Sequence, residues 1–278
     1  MRSLSITSQP DGTRALWNIP QVDGVGLAWL GQAGFALRSE GLRILLDPYL
    51  SDCLEKKYRG TKNPHERLMA APIQLPEVER LDWVLCTHQH SDHMDPEALP
   101  ILASRSPKCR FIIPRASREH LLSLDVPDKQ IAGINAWERM LLSSECSVEA
   151  IPSAHESLEQ NERGEYRYLG YVIRLGSITL YHSGDTIAYT GLAERVKAHQ
   201  IDLALLPING RGKGVPGNFT FDEAIQLCQD ARIPYLIPHH FGMFAFNTVD
   251  RRIIEASVAK VASPLCLLPA IENFWVIN

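Results

Sequence analysis

The chain of 278 residues lacks the features that mark several classes of protein. No apolar run is long enough to span a bilayer, and the first ten residues lack the apolar stretch of a secretory signal. The formal net charge is -4, so we expect no broad basic surface for nucleic acid. These absences predict a cytoplasmic protein whose partners include neither membrane nor nucleic acid.

Redox and nucleophile motifs are also missing. The six cysteines form no CxxC pair, which favours buried thiols in a reducing compartment. No Gly-x-Ser-x-Gly motif indicates a serine nucleophile. Neither an internal repeat nor a low-complexity tract divides the chain, so we predict one domain over 1–278, with residues 1–24 as an irregular N-terminal extension.

The pattern of apolar segments predicts an α/β fold. Strands are expected at 26–30, 35–38 and 42–46, which form an antiparallel meander, and at 81–86, 109–114, 146–152, 168–175, 177–182, 201–207 and 235–238. Helices are expected at 117–124, 189–199, 221–231 and 249–262. This distribution favours two β-sheets with helices on their outer faces.

One stretch concentrates metal-ligand residue types at the end of a predicted strand. Residues 87–95 read Thr-His-Gln-His-Ser-Asp-His-Met-Asp, and Asp95 with Pro96 should start a helix. The ligand candidates therefore lie on a tight turn, which can direct several side chains at one point. They are His88, His90, Asp92 and His93. A polar loop rich in histidine is the alternative, but four such residues behind a buried strand favour a metal site.

Three further candidates follow the ends of other predicted strands, where loops carry chemistry on a rigid scaffold. They are His155, Asp185 and His240, although each could instead serve as a cap, a turn or a surface residue. Seven ligands suit two divalent ions that share a carboxylate and a water. We predict that one ion is held by His88, His90 and His155, that the other is held by Asp92, His93 and His240, and that Asp185 bridges them.

A water between two cations would supply hydroxide at neutral pH, so we predict hydrolysis by a metal-bridging hydroxide. Asp92 and His240 are the predicted catalytic residues. Zinc best suits the histidine-rich set, and manganese or iron would also accept it.

Residues around the ligands are predicted to support them or to contact the substrate. Asp47, His182 and His239 are predicted to support the ligands by hydrogen bonding, although Asp47 could be a strand-end turn and His182 a core residue. Adjacent residues of an extended segment point opposite ways, so only one of His239 and His240 should bind a metal, and His239 could be that one instead of His240. Substrate contacts are predicted for Arg211 and Lys213, in a glycine-rich loop, and for Tyr58 and Arg59, in the long loop 51–76. Solvated loops are the alternative in both places. Cys53 lies in the same long loop and could also touch the substrate.

The motif His88-x-His90-x-Asp92-His93, followed in order by His155, Asp185 and His240, resembles the signature of the metallo-β-lactamase superfamily. The resemblance covers about 26–246 and implies an αββα sandwich with metals at one edge. It also implies hydrolysis of an ester, lactone, thioester, amide or phosphodiester.

Within that superfamily the chain is most similar to the ascorbate-6-phosphate lactonase-like (UlaG-like) group. The similarity rests on Tyr-His-Ser-Gly-Asp at 181–185, Ile-Asp-Leu-Ala-Leu at 201–205 and Ile-Pro-His-His at 237–240. An N-acylphosphatidylethanolamine phospholipase D-like branch shares much of this pattern. His155 departs from the lactonase pattern, which has no histidine there.

We therefore expect a hydrolase of a small, anionic ester or lactone, similar to a sugar-phosphate lactone. One alternative is a phosphodiesterase that acts on a nucleotide or a phospholipid head group. Another is a non-catalytic metal-binding protein on the same fold. The partner would be a small molecule, and the chain could form a homo-oligomer.

Overall fold

The structure is a computed structural model that describes residues 4–19, 21–211 and 217–278. Its regular elements are strands of two to seven residues and short helices. The strands are β1 (Ile6–Gln9), β2 (Val25–Gly31), β3 (Gly34–Ser39), β4 (Leu42–Leu46), β5 (Trp83–Leu85), β6 (Arg110–Pro114), β7 (Ile131–Ile134), β8 (Arg139–Leu141), β9 (Cys146–Pro152), β10 (Leu169–Leu175), β11 (Ile178–His182), β12 (Leu203–Pro207), β13 (Tyr235–His239), β14 (Leu265–Cys266) and β15 (Phe274–Ile277).

The helices accompany the strands along the chain. They are α1 (Gly12–Asn18), α2 (Cys53–Tyr58), α3 (Ala98–Arg105), α4 (Arg118–Ser123), α5 (Leu192–Lys197), α6 (Phe221–Ala231) and α7 (Arg251–Val258). Helix α6 starts with a capping box, in which Thr220 and Glu223 each bond the other's backbone N–H. No helix in the described ranges has the length and apolarity that crossing a bilayer would require.

The strands form two mixed sheets. The first has the order β1-β15-β2-β3-β4-β5-β6-β7, and the second has the order β14-β13-β12-β11-β10-β9-β8. In the first sheet the pairs from β1 to β4 are antiparallel and those from β4 to β7 are parallel. In the second, the pairs from β8 to β11 are antiparallel and those from β11 to β14 are parallel.

The main core lies between the two sheets and contains apolar side chains from both, such as Phe35, Leu85 and Ile173. A second cluster joins the other face of the first sheet to α1, α3 and α4, with Leu16 and Leu102 among its members. The expected α/β class and αββα sandwich are confirmed.

The parallel half of each sheet places the candidate site. In the first sheet, β4 ends directly before Asp47, and β5 ends directly before Cys86 and the turn that follows it. In the second sheet, β11 ends three residues before Asp185, and β13 ends directly before His240. The carboxyl ends of parallel strands share an edge of their sheet. The two sheets therefore bring sequence-distant residues to one rim.

The expectation of an irregular extension over 1–24 is wrong. β1 pairs with β15, and α1 buries Leu16 and Trp17 against the first sheet. The buried guanidinium of Arg38 donates to the carbonyls of Leu16, Trp17 and Ile19 at the end of the helix, and Arg43 also donates to the carbonyl of Trp17. A helix of seven residues whose last carbonyls bond a distant arginine is difficult to predict from its own sequence.

Other boundaries also differ. β7 and β8 were not predicted, and α5 and α7 are shorter than the expected helices at 189–199 and 249–262. Within the long loop 51–76, α2 forms near the start. The β2-β3-β4 meander and α6 occur as predicted.

A buried hydrogen bond joins the two sheets beside the candidate site. The Tyr171 hydroxyl on β10 donates to the carbonyl oxygen of Cys86 at 2.8 Å. We expect Tyr171→Phe to lower the free energy of unfolding by about 1–2 kcal/mol, because it leaves that buried carbonyl without this donor. Chemical denaturation would measure the change.

Tyr181 provides a matched control, since its buried hydroxyl has no hydrogen-bond partner among the described residues. Tyr181→Phe should leave the free energy of unfolding unchanged or raise it. Equal losses in the two variants would contradict the role given to the Tyr171 bond.

Candidate metal centre

The turn after β5 is held by Asp47 at the end of the neighbouring strand β4. The carboxylate of Asp47 accepts the backbone N–H of Thr87 at 2.7 Å on one oxygen and the Thr87 hydroxyl at 2.7 Å on the other. Within the turn, the N–H groups of His93 and Met94 donate to the carbonyl oxygen of His90. These hydrogen bonds fix the turn without the help of a bound ion.

Asp95 anchors the other end of the turn. One oxygen of its carboxylate accepts the N–H groups of Glu97 and Ala98, each at 3.0 Å, as expected where α3 begins. The other oxygen accepts N–H groups from Leu50 and Ser51. This buried carboxylate thus ties the motif to the start of the long loop.

The structure brings together the first predicted group. The ring nitrogens His88 Nε2 and His90 Nδ1 lie 3.0 Å apart, and the ring of His155 lies within 5.5 Å of both other rings, measured between centroids. Nδ1 of His155 lies 3.2 Å from the carbonyl oxygen of Gly217, to which it must donate. Its Nε2 is then the nitrogen that carries a free lone pair.

The second predicted group also converges. Ligand atoms of Asp92, His93 and His240 all lie within 4.8 Å of one another. Nδ1 of His93 donates to Asp47 at 2.7 Å, so Nε2 is left to face the group. Nε2 of His240 lies 3.7 Å from Asp92 Oδ2.

Asp185 lies between the two groups. Its Oδ2 is 3.3 Å from His240 Nε2 and 3.8 Å from His155 Nε2, while its Oδ1 is 3.4 Å from His93 Nε2. A single carboxylate thus contacts a member of each group, which is the arrangement that a bridging ligand requires.

Buried atoms in this cluster provide a test of whether metal ions fit. His93 Nε2 and Asp185 Oδ1 are buried, and neither has a hydrogen-bond partner among the described residues. The two atoms lie 3.4 Å apart as an ion pair, and leaving buried polar atoms without a hydrogen bond is costly unless something binds them. Nitrogen ligands of a tetrahedral zinc ion, at about 2.0–2.1 Å from it, lie roughly 3.3 Å apart, close to the separation of His88 and His90. The donor set fits divalent ions.

The electrostatics of the cluster favour added positive charge. Burial alone would raise the pKa of Asp185, but His240 and His93 outweigh burial and hold it well below its usual range. Burial would lower the pKa of His93, but Asp185, Asp47 and Asp92 raise it well above the ordinary value. By contrast, burial holds the pKa of His88 well below normal, so its ring is neutral and able to bind a metal ion.

Two of the predicted supporting residues hydrogen bond beneath the cluster. Asp47 is fully buried and accepts from His93, from Thr87 and from His182, whose Nε2 lies 3.0 Å away. Burial would raise the pKa of Asp47, but these histidines hold it far below its usual range. Asp47 therefore remains a carboxylate that fixes the ring of His93.

The predicted hydrogen-bonding role of His239 is wrong. Its ring is buried against Phe35 and His182, and neither nitrogen has a hydrogen-bond partner among the described residues. His240 leaves the strand with φ of 66°, and its N–H donates to the carbonyl oxygen of Gln32. This left-handed residue turns the second histidine toward the cluster while the first stays in the core.

Gln32 is a residue of the site that the sequence did not predict. Its side-chain Nε2 donates to Asp92 Oδ2 at 2.9 Å and lies 3.2 Å from His240 Nε2. In the sequence, the only sign of this role is that Gln32 is a polar residue in the turn Gly31-Gln32-Ala33-Gly34. In the structure, its backbone is left-handed, with φ of 50°. Polar residues are common in turns, so the signal was weak.

The cluster forms one side of a cavity of about 410 Å³. Tyr58 lines this cavity, as predicted for a substrate contact. The other lining residues are Gln32, Leu54, Lys57, His65, Gln89, His90, Ser91, Asp92, His120, His155, Asp185, His240, Phe244, Phe246 and Asn247.

Arg59 and Arg211, two of the other predicted substrate contacts, do not line this cavity. Arg59 is 74% exposed and lies 3.9 Å from Glu55. Arg211 pairs with Glu223 and donates to the carbonyl oxygen of Asn218, so its charge is already matched. Lys213 lies outside the described residues, and Lys57 is the one lysine or arginine among the described lining residues.

Comparison with known proteins adds a family. A model of the beta-lactamase superfamily domain matches residues 42–241. A UPF0173 metal-dependent hydrolase from Caldivirga maquilingensis is 28% identical over 218 residues, which cover 78% of this chain and 82% of the relative. The mitochondrial N-acyl-phosphatidylethanolamine-hydrolyzing phospholipase D of Saccharomyces cerevisiae is 27% identical over 232 residues, which cover 79% of this chain and 48% of the yeast protein.

Solved structures share the fold. An isothiocyanate hydrolase from Delia radicum gut bacteria superposes with a TM-score of 0.72 at 17% identity, over 90% of this chain and 98% of the other. The diiron beta-hydroxylase CmlA from Streptomyces venezuelae superposes with a TM-score of 0.67 at 18% identity, over 92% of this chain and 54% of the other.

The Asp47–His93 bond can be tested through metal binding. We expect Asp47→Ala to weaken binding at the second group by about 10–100-fold, because His93 loses the carboxylate that orients it. Competition with a chromophoric chelator would measure the affinities for zinc. Asp202→Ala is the matched control, since Asp202 accepts the N–H of Thr179 away from the site. An equal loss of affinity in both variants would contradict this role.

The neighbouring histidines can be separated by their metal stoichiometry. We expect His240→Ala to lose tight binding of one of two ions, because it removes a donor from the second group. His239→Leu should keep both ions, since that ring lies in the apolar core. Elemental analysis after dialysis would measure both, and loss of an ion from the His239 variant alone would reverse the assignment.

Proposed function

The chain belongs to the beta-lactamase superfamily, and from this premise we propose that it is a metal-dependent hydrolase that acts on small esters or lactones with two divalent ions. The observation that carries the proposal is the convergence of seven donors, five of which line a cavity of about 410 Å³. That volume lies at the small end of the usual range for ligand pockets, about 300–1,000 Å³.

The proposed ion sites follow the two groups of donors. His88, His90 and His155 would hold one ion, and Asp92, His93 and His240 would hold the other. Asp185 would be shared by both. When bound, such ions supply a hydroxide at neutral pH and polarise the oxygen of a scissile carbonyl or phosphoryl group.

The side chains of this protein position that chemistry. Gln32 donates to Asp92 and so fixes one of its carboxylate oxygens, while Asp47 fixes the ring of His93. Burial would raise the pKa of Asp92, but His93 and His240 lower it, so this carboxylate is ionised at neutral pH. We propose Asp92 and His240 as the catalytic residues because both line the cavity.

A thiol nucleophile is disfavoured by the state of Cys53. Its side chain is buried, and burial together with Asp95 raises its pKa to about 12. The thiol is therefore protonated at neutral pH and is a poor nucleophile. Hydrolysis by water is the chemistry that the remaining residues favour.

The proposed preference for an anionic substrate rests on Lys57 in place of Arg211. Arg211 is paired with Glu223, so Lys57 on the cavity wall is the described cation that could attract a phosphate or carboxylate. The likeness to the ascorbate-6-phosphate lactonase-like group favours such a substrate. Zinc remains the proposed metal, while the fold shared with a diiron enzyme keeps iron as an alternative.

A second candidate function is phosphodiester hydrolysis. It is favoured by the similarity to the yeast phospholipase D, of which this chain spans about half the length. The same donors would serve either reaction, since the ions can polarise a phosphoryl oxygen as well as a carbonyl oxygen.

A substrate panel would test the proposal. Metal-loaded protein should hydrolyse lactones or simple esters faster than phosphodiesters and thioesters, and matched neutral and anionic lactones would test charge preference. We expect His90→Ala to lower kcat/KM by at least about a hundredfold, because losing a ligand should exceed the 10–100-fold effect of losing a supporting residue.

His199→Ala is the control, because His199 contacts Arg174 and Glu149 and does not line the cavity. It should retain full turnover. A preference for phosphodiesters would select the second function. Two bound ions without turnover of any substrate would instead support a non-catalytic metal-binding protein.

A further inference from the structure

Four aromatic rings line the side of the cavity formed by the long loop and the segment after His240. Tyr58 stacks on His65 with ring centroids 4.2 Å apart, and the edges of Phe244 and Phe246 lie against His65 at 5.0 Å and 4.7 Å. All four residues line the cavity that the metal centre shares. We call these four residues the aromatic wall.

The aromatic wall is backed by a small apolar cluster. Tyr49 and Met243 are buried and do not line the cavity, and the ring centroids of Phe244 and Tyr49 lie 6.0 Å apart. Phe244 is itself only 4% exposed, whereas His65 and Phe246 are half-buried. The rings therefore pack against buried apolar side chains, and His65 and Phe246 remain partly exposed.

Hydrogen bonds fix the two segments that carry the rings. The N–H of Leu68 donates to the carbonyl oxygen of Met243 at 2.8 Å. The guanidinium of Arg67 donates to the carbonyls of Tyr49, Ser51 and Met69. A ligand that binds here meets an organised surface, which reduces the entropy lost on binding.

The aromatic wall is also uncharged. Burial lowers the pKa of His65, so its ring is neutral at pH 7, and its Nδ1 lies 2.9 Å from the carbonyl oxygen of Asn63. The opposite side of the cavity carries the donors of the metal centre together with Gln89 and Ser91. The cavity therefore has one polar, reactive side and one side formed mainly by aromatic rings, with Lys57 Nζ 5.1 Å from the centroid of the Tyr58 ring.

We propose that the aromatic wall binds a flat aryl group of the substrate while the adjacent ester or lactone carbonyl faces the donor cluster. This inference rests on the proposed function and narrows it to aryl-bearing esters and lactones. Rings prefer offset or edge-to-face contact with other rings, and such contacts add to the effect of burying apolar area. The small volume disfavours a long acyl chain as the occupant.

Substrates that differ only in one substituent would test the proposal. The zinc-loaded full chain would be assayed with γ-butyrolactone and with its γ-phenyl and γ-cyclohexyl derivatives. We expect kcat/KM to be at least about tenfold higher for the phenyl compound than for the unsubstituted one, and higher than for the cyclohexyl compound.

Variants of Phe246 would locate the effect. Phe246→Ala should abolish most of the preference for phenyl, while Phe246→Leu should retain part of the gain over the unsubstituted lactone and lose the discrimination against cyclohexyl. Trp137→Ala is the matched control, because Trp137 is 51% exposed, packs on Arg195 and lies outside the cavity. Circular dichroism and metal content would establish that each variant is folded.

Binding of phenylacetate and acetate, measured by calorimetry on the same protein, separates this inference from the proposed function. Phenylacetate should bind at least about tenfold more tightly, and Phe246→Ala should remove the difference. That result without turnover of any lactone would support the aromatic wall and overturn the proposed function. Turnover with no preference for phenyl, or a preference unchanged in Phe246→Ala, would overturn the aromatic wall alone.

Discussion

The structure depends on the attraction between buried carboxylates and imidazole rings at the rim shared by the two sheets. Removing such groups from water is unfavourable unless each finds an opposite charge or a hydrogen bond. Asp47 satisfies this condition within the protein, through Thr87, His93 and His182. Asp185 does so only in part, because one of its buried oxygens has no hydrogen-bond partner among the described residues. The same cluster that constrains the fold therefore leaves a place for cations.

Sheet topology explains why these groups meet. Each sheet has a parallel half, and the carboxyl ends of β4, β5, β11 and β13 reach the same rim. Two tethers then set finer positions: the Tyr171 hydroxyl joins the sheets at Cys86, and the carbonyl oxygen of Gln32 holds the N–H of His240. A site assembled from both sheets needs this packing before its geometry exists.

Much of the fold and of the cluster could be predicted from the sequence, for physical reasons. The buried strands that end at the rim, whether their pairing is parallel or antiparallel, are nearly continuous apolar runs, so their ends are visible, and the polar residues that follow them mark the rim. This is why His155 and Asp185, remote along the chain, were placed beside His88. The unpredicted features involve tertiary contacts: Arg38 and Arg43 bond the last carbonyls of α1, and Gln32, whose amide contacts the cluster, lies in a turn with a left-handed backbone. The ion pair of Arg211 with Glu223 could not be predicted from the loop alone, because Glu223 lies in the following helix.

The chemistry of the cavity can be predicted from the sequence, whereas its specificity depends on tertiary contacts. Metal donors must be of a few residue types at strand ends, so their identity and position are both constrained by the sequence. Phenylalanine side chains such as Phe244 and Phe246 are equally common in apolar cores, and the sequence around them does not indicate that they border a cavity. They do so because the segment after His240 packs against the long loop through Leu68 and Met243. The reactive side of the cavity is thus encoded by residue type, and its apolar side by the packing of two loops.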